Sequence, residues 1–260
     1  MSRFTEAHYR AQAVEQVWKY VLLELTGGKT ARYTPRGNAV DVYVRHGTSD
    51  GNILQEFNMF GLYDPPADID ADLRSIEPLR VLDLGAHIGL FGARILSLYP
   101  NAFVVAFEPD PLNFKALARA ATGSDRWKPV PAAAWTHDTR IGFSSGGFAG
   151  SRYDAGAGET VPAIDVFPYL ANADLVKIDI EGSEWMLLAD PRFSSIGARA
   201  VILEWHPQGC TADDPHAEAV RAREAAGFSV REIPGAPPGV GMLWGYREPA
   251  SPAGPGLLEA

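Results

Sequence analysis

The sequence predicts an α/β fold in which a mostly parallel sheet carries helices on both faces, and three observations lead there. Short apolar runs at 80–84, 103–108, 128–134, 174–180 and 200–205 alternate with runs of helical period at 88–98, 111–121, 183–189 and 215–226, as strands joined by crossover helices do. The stretch VLDLGAHIGLFGARIL (81–96) passes from a strand-like segment through three glycines into a helix-like one. Open α/β sheets hold their ligands at such strand-to-helix turns. An acid, Glu108, ends the next strand about 20 residues beyond that turn, where it can accept hydrogen bonds from both hydroxyls of a ribose.

Ahead of this alternation lies an amino-terminal extension, 1–78. Val14, Val17, Trp18, Val21, Leu22 and Leu25 recur at helical spacing, with Glu15, Gln16, Lys19 and Glu24 opposite. This predicts one amphipathic helix over 5–25, ended by Gly27 and Gly28, that packs on the main domain or forms a homodimer contact. Val40, Val42 and Val44 alternate as a strand, and Ile53, Leu54, Phe57 and Phe60 follow as a helix-like run. Residues 64–78, rich in proline and aspartate, read as a linker into the main domain, 79–248. Within that domain, 137–166 departs from the alternation, with short β-like pieces, and reads as a glycine-rich surface loop or lid. Two final strands, 228–233 and 241–247, flank the turn PGAPPGVG as a hairpin, and 249–260 reads as a flexible tail.

At 260 residues with 46% apolar side chains the chain has the material for a large core. A net charge of −9 and no run of lysine or arginine argue against a nucleic-acid partner. The one cysteine, Cys210, cannot form an internal disulfide, and the amino terminus lacks a signal-peptide pattern. No apolar run approaches the roughly 18 residues of a membrane span. A cytoplasmic protein that does not enter membranes is expected.

The glycines, Gly85, Gly89 and Gly92, stand at G-x-x-x-G-x-x-G with Ala86, His87 and Ile88 between, not at the G-x-G-x-x-G spacing that cradles a pyrophosphate. Asp83, beside the turn, suits an ammonium group better than a phosphate. S-adenosylmethionine carries an ammonium, a ribose and no phosphate. Gly85, Ala86, His87, Gly89, Glu108, Pro109, Ala133, Ala134 and Asp179 join Asp83 as the expected cofactor residues, with His87 contributing its backbone. Asp110 is placed to cap the helix that Pro111 begins.

The fourth strand, DLVKIDIEGSEWMLL, turns Lys177, Asp179 and Glu181 to one face of an otherwise apolar sheet. Such charges require a partner for Lys177 and a pocket at the strand end. Glu184 reads as a helix cap only. On the fifth strand, AVILEWHP, Glu204 and His206 share a face at the ligand rim, so His206 oriented by Glu204 is the working general base, with Glu181 and Asp179 as rivals. Glu181, Glu204, His206 and Asp179 are also of a type that ligates divalent metals, although no metal is assigned. His8, His46, His137 and His216 read as surface residues.

Over roughly 40–210 the chain resembles the FkbM family of S-adenosylmethionine-dependent methyltransferases. The resemblance lies in HGTSDGNILQEF with GLY (46–63), VLDLGAHIGLF (81–91), VVAFEPDPLNFKAL (104–117), GSRY (150–153), LVKIDIEGSEWMLL (175–188) and VILEWHP (201–207). It implies a class I methyltransferase (Rossmann-like) sheet of seven strands with the last antiparallel, and makes 46–63 a wall or lid of the pocket. It also implies O-methylation of a small or carrier-borne hydroxyl acceptor such as a natural product, sugar or glycan. His87 stands where the family often has asparagine, and the amino-terminal helix lies outside the shared pattern. Divalent-metal-assisted O-methyl transfer and N-methylation of a small metabolite are the alternatives. A nicotinamide oxidoreductase and a catalytically silent cofactor-binding scaffold are more distant ones.

Overall fold

A computed structural model of the chain describes residues 2–145, 152–233 and 240–248. The extension comprises α1 (Arg3–Ala11), α2 (Val17–Thr26), the antiparallel pair β1 (Thr30–Tyr33) and β2 (Val42–Arg45), then α3 (Asp50–Asn58) and α4 (Ala67–Leu73). The main domain follows with β3 (Arg80–Leu84), α5 (Leu90–Leu98), β4 (Phe103–Phe107), α6 (Pro111–Ala120) and β5 (Trp127–Val130). A second group of strands, β6 (Ala133–Trp135), β7 (Thr139–Ser144), β8 (Arg152–Tyr153) and β9 (Thr160–Asp165), precedes α7 (Phe167–Leu170). The chain then returns to the main sheet with β10 (Leu175–Ile178), α8 (Glu184–Ala189), β11 (Ala200–Trp205), α9 (Pro215–Ala225), β12 (Ser229–Glu232) and β13 (Gly241–Tyr246).

The main sheet runs β12-β13-β11-β10-β3-β4-β5. Strands β5, β4, β3, β10 and β11 pair in parallel, and β13 is antiparallel to both neighbours. This is the class I methyltransferase order with an antiparallel last strand, as the sequence leads one to expect. The central strands β3, β10 and β11 are buried on both faces. Val81, Val104, Ile202 and Trp244 face a core shared with Val14, Tyr33, Leu54 and Leu73 of the extension, so extension and sheet bury one continuous apolar cluster. Leu82, Leu84, Val176, Ile178, Val201 and Leu203 face the opposite layer with Phe167, Leu187 and Ala219.

Four expectations are corrected. The helix read over 5–25 is two helices, because Val14 leaves the helical path to form a β-bridge with Pro35 while Gln16 bonds both the backbone and the hydroxyl of Thr34. The turn rotates α2, leaving Trp18 69% and Leu22 61% exposed while Val21 is buried. The strand read over 128–134 is two strands in different sheets. Pro131, which has no N–H to give a ladder, separates β5 on β4 from β6 on β9. The excursion over 137–166, read as a loop or lid with short β-like pieces, supplies β7, β8 and β9, which join β6 in the small sheet β6-β9-β7-β8, held by the alternating apolar residues Ile141 and Phe143 against Val161, Ala163 and Trp135. The linker read over 64–78 contains α4, whose Ile69 and Leu73 enter the core. Strand β1 had no expectation. The hairpin of β12 and β13 is present, but 234–239 of its turn, Gly150 and Ser151 of GSRY, and the tail 249–260 lie outside the described residues.

Gly85, immediately after β3, has φ +82, and a Cβ there would collide with the carbonyl oxygen of Asp179. Gly85→Ala therefore combines left-handed strain with overpacking and is expected to destabilise by about 2–4 kcal/mol. Gly123→Ala, at φ +84 with open space around it, carries the strain alone and should cost about 1 kcal/mol. Thermal melts of the two variants compare them directly; equal melting temperatures would refute the close approach at Gly85.

Candidate active site

The parallel register carries the functional side chains to the carboxyl ends of β3, β4, β10 and β11, where a cavity opens. Three bodies enclose it: these strand ends, the segment from β2 to Tyr63, and the inner face of the small sheet. Gly85, Ala86, His87, Glu108, Pro109, Ala133, Ala134 and Asp179 all line it, as do Glu181 and Glu204. Asp83, Gly89 and His206 are not part of the lining. Gly89 faces the rings and methyls of Trp127 and Leu117 instead.

Asp83 and Lys177 are direct neighbours in the β3–β10 register, on the face toward the extension. Lys177 Nζ lies 3.5 Å from Asp83 and 3.3 Å from Asp179, and donates to the carbonyl of Gly85 at 2.8 Å. Asp83 is completely buried, so the ammonium it meets is that of Lys177, and the expectation that it faces the ligand's ammonium is corrected. Burial pushes the Asp83 carboxyl up, Lys177 pulls it back, and it settles at about 6. Burial would lower Lys177, but Asp179, Asp83 and Glu204 together raise it.

Glu108 ends β4 and is nearly buried. It accepts from the backbone N–H of His87 at 2.7 Å, from that of Asp110 at 2.9 Å and from the Asn113 amide at 3.3 Å. A carboxylate has about four acceptor positions, so one is left for a ligand hydroxyl rather than two. Burial, only partly offset by these donors, raises Glu108 to about 7. Asp110 caps α6 by accepting from Leu112 and Asn113. Arg45, from β2, grips fully buried Asp50 with its guanidinium and backbone N–H and donates to Asn113 Oδ1 at 2.7 Å. His87 has φ +51, gives its backbone to Glu108, and places its imidazole near Arg45 and Asp50; burial lowers its pKa to about 4.

The partner of His206 is not the expected one. Glu184 is completely buried, and its Oε1 accepts from the His206 backbone at 2.6 Å and lies 3.1 Å from His206 Nδ1, while Oε2 accepts from Gly182 at 2.8 Å. Glu204 stands 4.0 Å from His206 Nε2 and takes a short hydrogen bond from Tyr63. Orientation of the ring thus belongs to Glu184, read from sequence as a cap alone. Burial disfavours the imidazolium, but the Glu184 hydrogen bond and the charges of Asp179 and Glu181 overcome it and hold His206 at about 9. It keeps its proton at neutral pH. Glu204 and Glu181 are pushed up, first by burial and next by the charge of Asp179.

Sequence reading missed Glu56 and Tyr63 as individual cavity residues, and missed the apolar wall of Trp135, Ile141 and Phe143. The alternation of Ile141 and Phe143 was the available signal for that wall. His46 is corrected from surface to buried, bridging Tyr33 and Glu24 at 2.7 Å each. His137 is exposed, and His8 and His216 are partly exposed.

The donor set fits S-adenosylmethionine. The N–H groups of Gly85 and Ala86 bond to the carbonyl of Phe107, and those of His87 and Gly89 to Glu108 and Ala86, so this turn offers no phosphate cradle. Apolar Ala133, Ala134 and Trp135 suit an adenine ring, Glu108 a ribose hydroxyl, and Asp179 an ammonium.

A family model described as the methyltransferase FkbM domain matches residues 83–230, more than half of the chain. No curated protein matches. Among solved structures, the chain is similar to a precorrin-6y C5,15-methyltransferase from Geobacter metallireducens GS-15, with 16% identity, coverage of 70% of this chain and 86% of that one, and a TM-score of 0.43. It is also similar to M. jannaschii TYW2 in complex with AdoMet, at 13% identity, 85% and 87% coverage and a TM-score of 0.44. Scores this low leave the assignment to the family match and the strand order.

Because Glu184 raises the His206 pKa, Glu184→Gln should lower it toward the ordinary 6.5, as read by NMR titration of the imidazole in buffer containing EDTA. A folded-state pKa above the unfolded value stabilises fully below about 6.5 and is lost as pH rises toward 9. The melting temperature of the parent protein should accordingly fall across that window, and more steeply than that of Glu184→Gln. Parallel pH profiles would contradict the assignment.

Proposed function

The chain belongs to the FkbM methyltransferase family, whose methyl donor is S-adenosylmethionine, and we propose that it methylates a hydroxyl of a small natural product, sugar or glycan-type acceptor. One observation carries this reading: Glu204, Glu181 and Asp179 line the same cavity as Gly85, Ala86 and Glu108, so proton acceptors stand beside the residues suited to the donor. A hydroxyl must lose its proton as it attacks, whereas an amine can react without a base. The apolar residues Ile141 and Phe143 support an acceptor with an apolar body, and the net charge of −9 supports an acceptor other than nucleic acid.

When bound, S-adenosylmethionine supplies a methyl group already activated by its sulfonium. The protein's own task is alignment and proton removal. Glu108 accepts a ribose hydroxyl, and Lys177 ties the Gly85 turn to Asp179 so that both ends of the cavity keep their spacing. The acceptor oxygen gives its electron pair to the methyl carbon as the carbon–sulfur bond breaks, and its proton passes to Glu204. Glu204 replaces His206 as the favoured base because its carboxylate lines the cavity, whereas His206 is not part of the lining. Tyr63 fixes the Glu204 carboxylate by its hydrogen bond.

The test is methyl transfer from labelled S-adenosylmethionine into a panel of hydroxyl, amine and nucleic-acid acceptors, with the product read by mass spectrometry as methyl ether or methylamine. Glu204→Gln is expected to lower turnover by roughly 10²-fold to 10⁴-fold with donor affinity nearly unchanged. Near-normal turnover in that variant removes Glu204 as base, and an N-methyl product overturns the hydroxyl reading. By calorimetry, Glu108→Gln should weaken donor binding by about tenfold, the loss of one charge-assisted hydrogen bond. Unchanged donor affinity would exclude Glu108 from the ribose site.

A further inference from the structure

We infer that Asp179, Glu181 and His206 form a binding site for one divalent transition-metal ion at the acceptor end of the cavity; this rests on reading that cavity as the site of methyl transfer. One carboxylate oxygen from each acid and a ring nitrogen of His206 lie within 4.8 Å of one another. His206 Nε2 is 3.5 Å from Glu181 Oε2, and neighbouring ligands held at about 2.1 Å by one ion stand roughly 3.0–3.5 Å apart.

The imidazole separates this group from an ordinary acidic patch. Its side chain is 9% exposed, its Nδ1 is held by Glu184, and its Nε2 is turned toward Glu181 and Glu204 without a hydrogen bond among the described residues. A carboxylate behind the far ring nitrogen fixes tautomer and ring plane, which is the support that metal-bound histidines require. Glu184 cannot itself turn into the cavity, because it is completely buried and holds the backbone of Gly182 and His206. Lys177, the cation next to Asp179, is already engaged with Asp83 and the Gly85 carbonyl. Among the described residues, His206 is the cation paired with Glu181.

Two carboxylate oxygens with one imidazole nitrogen suit manganese or zinc better than magnesium, which prefers oxygen alone. Binding takes Nε2 as a neutral ligand and releases its proton to solvent. Three protein ligands leave open positions, in which an acceptor hydroxyl oxygen would bind and become more acidic, its proton passing to Glu204.

The experiment titrates the full-length protein, without acceptor, with manganese chloride and counts free Mn²⁺ by electron paramagnetic resonance. One saturable site per chain is expected, weakened at least tenfold in Glu181→Gln and in His206→Ala, with melting temperature and S-adenosylmethionine affinity followed on the same samples. Absence of saturable binding up to about 1 mM manganese, or equal binding in both variants, overturns the site. Full-rate methyl transfer after exhaustive dialysis against EDTA also overturns it and leaves the proposed function standing. Stoichiometric manganese binding by a protein that methylates only amines supports the site and overturns the hydroxyl reading instead.

Discussion

The ammonium of Lys177 sits between the two central strands at the point where both end, and the geometry of the cavity follows from how that charge is balanced. Parallel pairing sets it beside Asp83, and the strand end brings Asp179 within 3.3 Å. Taking such an ion from water costs several kcal/mol, which only close partners offset. Its third contact is the carbonyl of Gly85, so the glycine turn is tied to the neighbouring strand. Displacing any member of this set would leave a buried charge without its counterpart and would move the cavity floor with it. Gly85 has no room for a Cβ because the Asp179 backbone passes so close.

Around that centre the chain repeats one device: a buried carboxylate that accepts backbone N–H groups and a side chain together. Asp50 holds the backbone and guanidinium of Arg45, Glu108 holds His87, Asp110 and Asn113, and Glu184 holds Gly182 and His206. Each pins a loop that borders the cavity. Asp174 does the same for Arg80 at the opposite end of β3. Among the described residues the buried acids Asp50, Asp83, Glu108, Asp110, Asp174 and Glu184 are therefore internal and structural. The extension enters by the same means, since Arg45 reaches from β2 to Asn113 and so to Glu108. It also encloses the cavity, where Phe57 and Tyr63 stack at 3.9 Å beneath Glu204 and Lys177.

The alternation of strand and helix, the glycine turn and the acid ending β4 were legible in the residues because each is a local pattern. A buried parallel strand shows as an apolar run, a left-handed turn as glycine, and a strand-end acid as a charge at a fixed distance along the chain. The motif around Lys177 was legible too, since three charges on one strand face demand partners. Local pattern failed where contacts across the chain override it. Val14 follows helical period but is drawn into a bridge with Pro35, and the apolar run at 128–134 is divided between two sheets at Pro131. Sequence alone therefore determined the sheet, its ligand rim and the acids placed there. Tertiary structure decided which acid serves which partner: Glu184 rather than Glu204 for His206, Lys177 for Asp83, and Tyr63 for Glu204. The physical reason is that hydrogen bonding requires approach to within about 3 Å. Spacing along a strand fixes which face a side chain occupies, whereas only packing brings residues 141 positions apart, such as Tyr63 and Glu204, into contact.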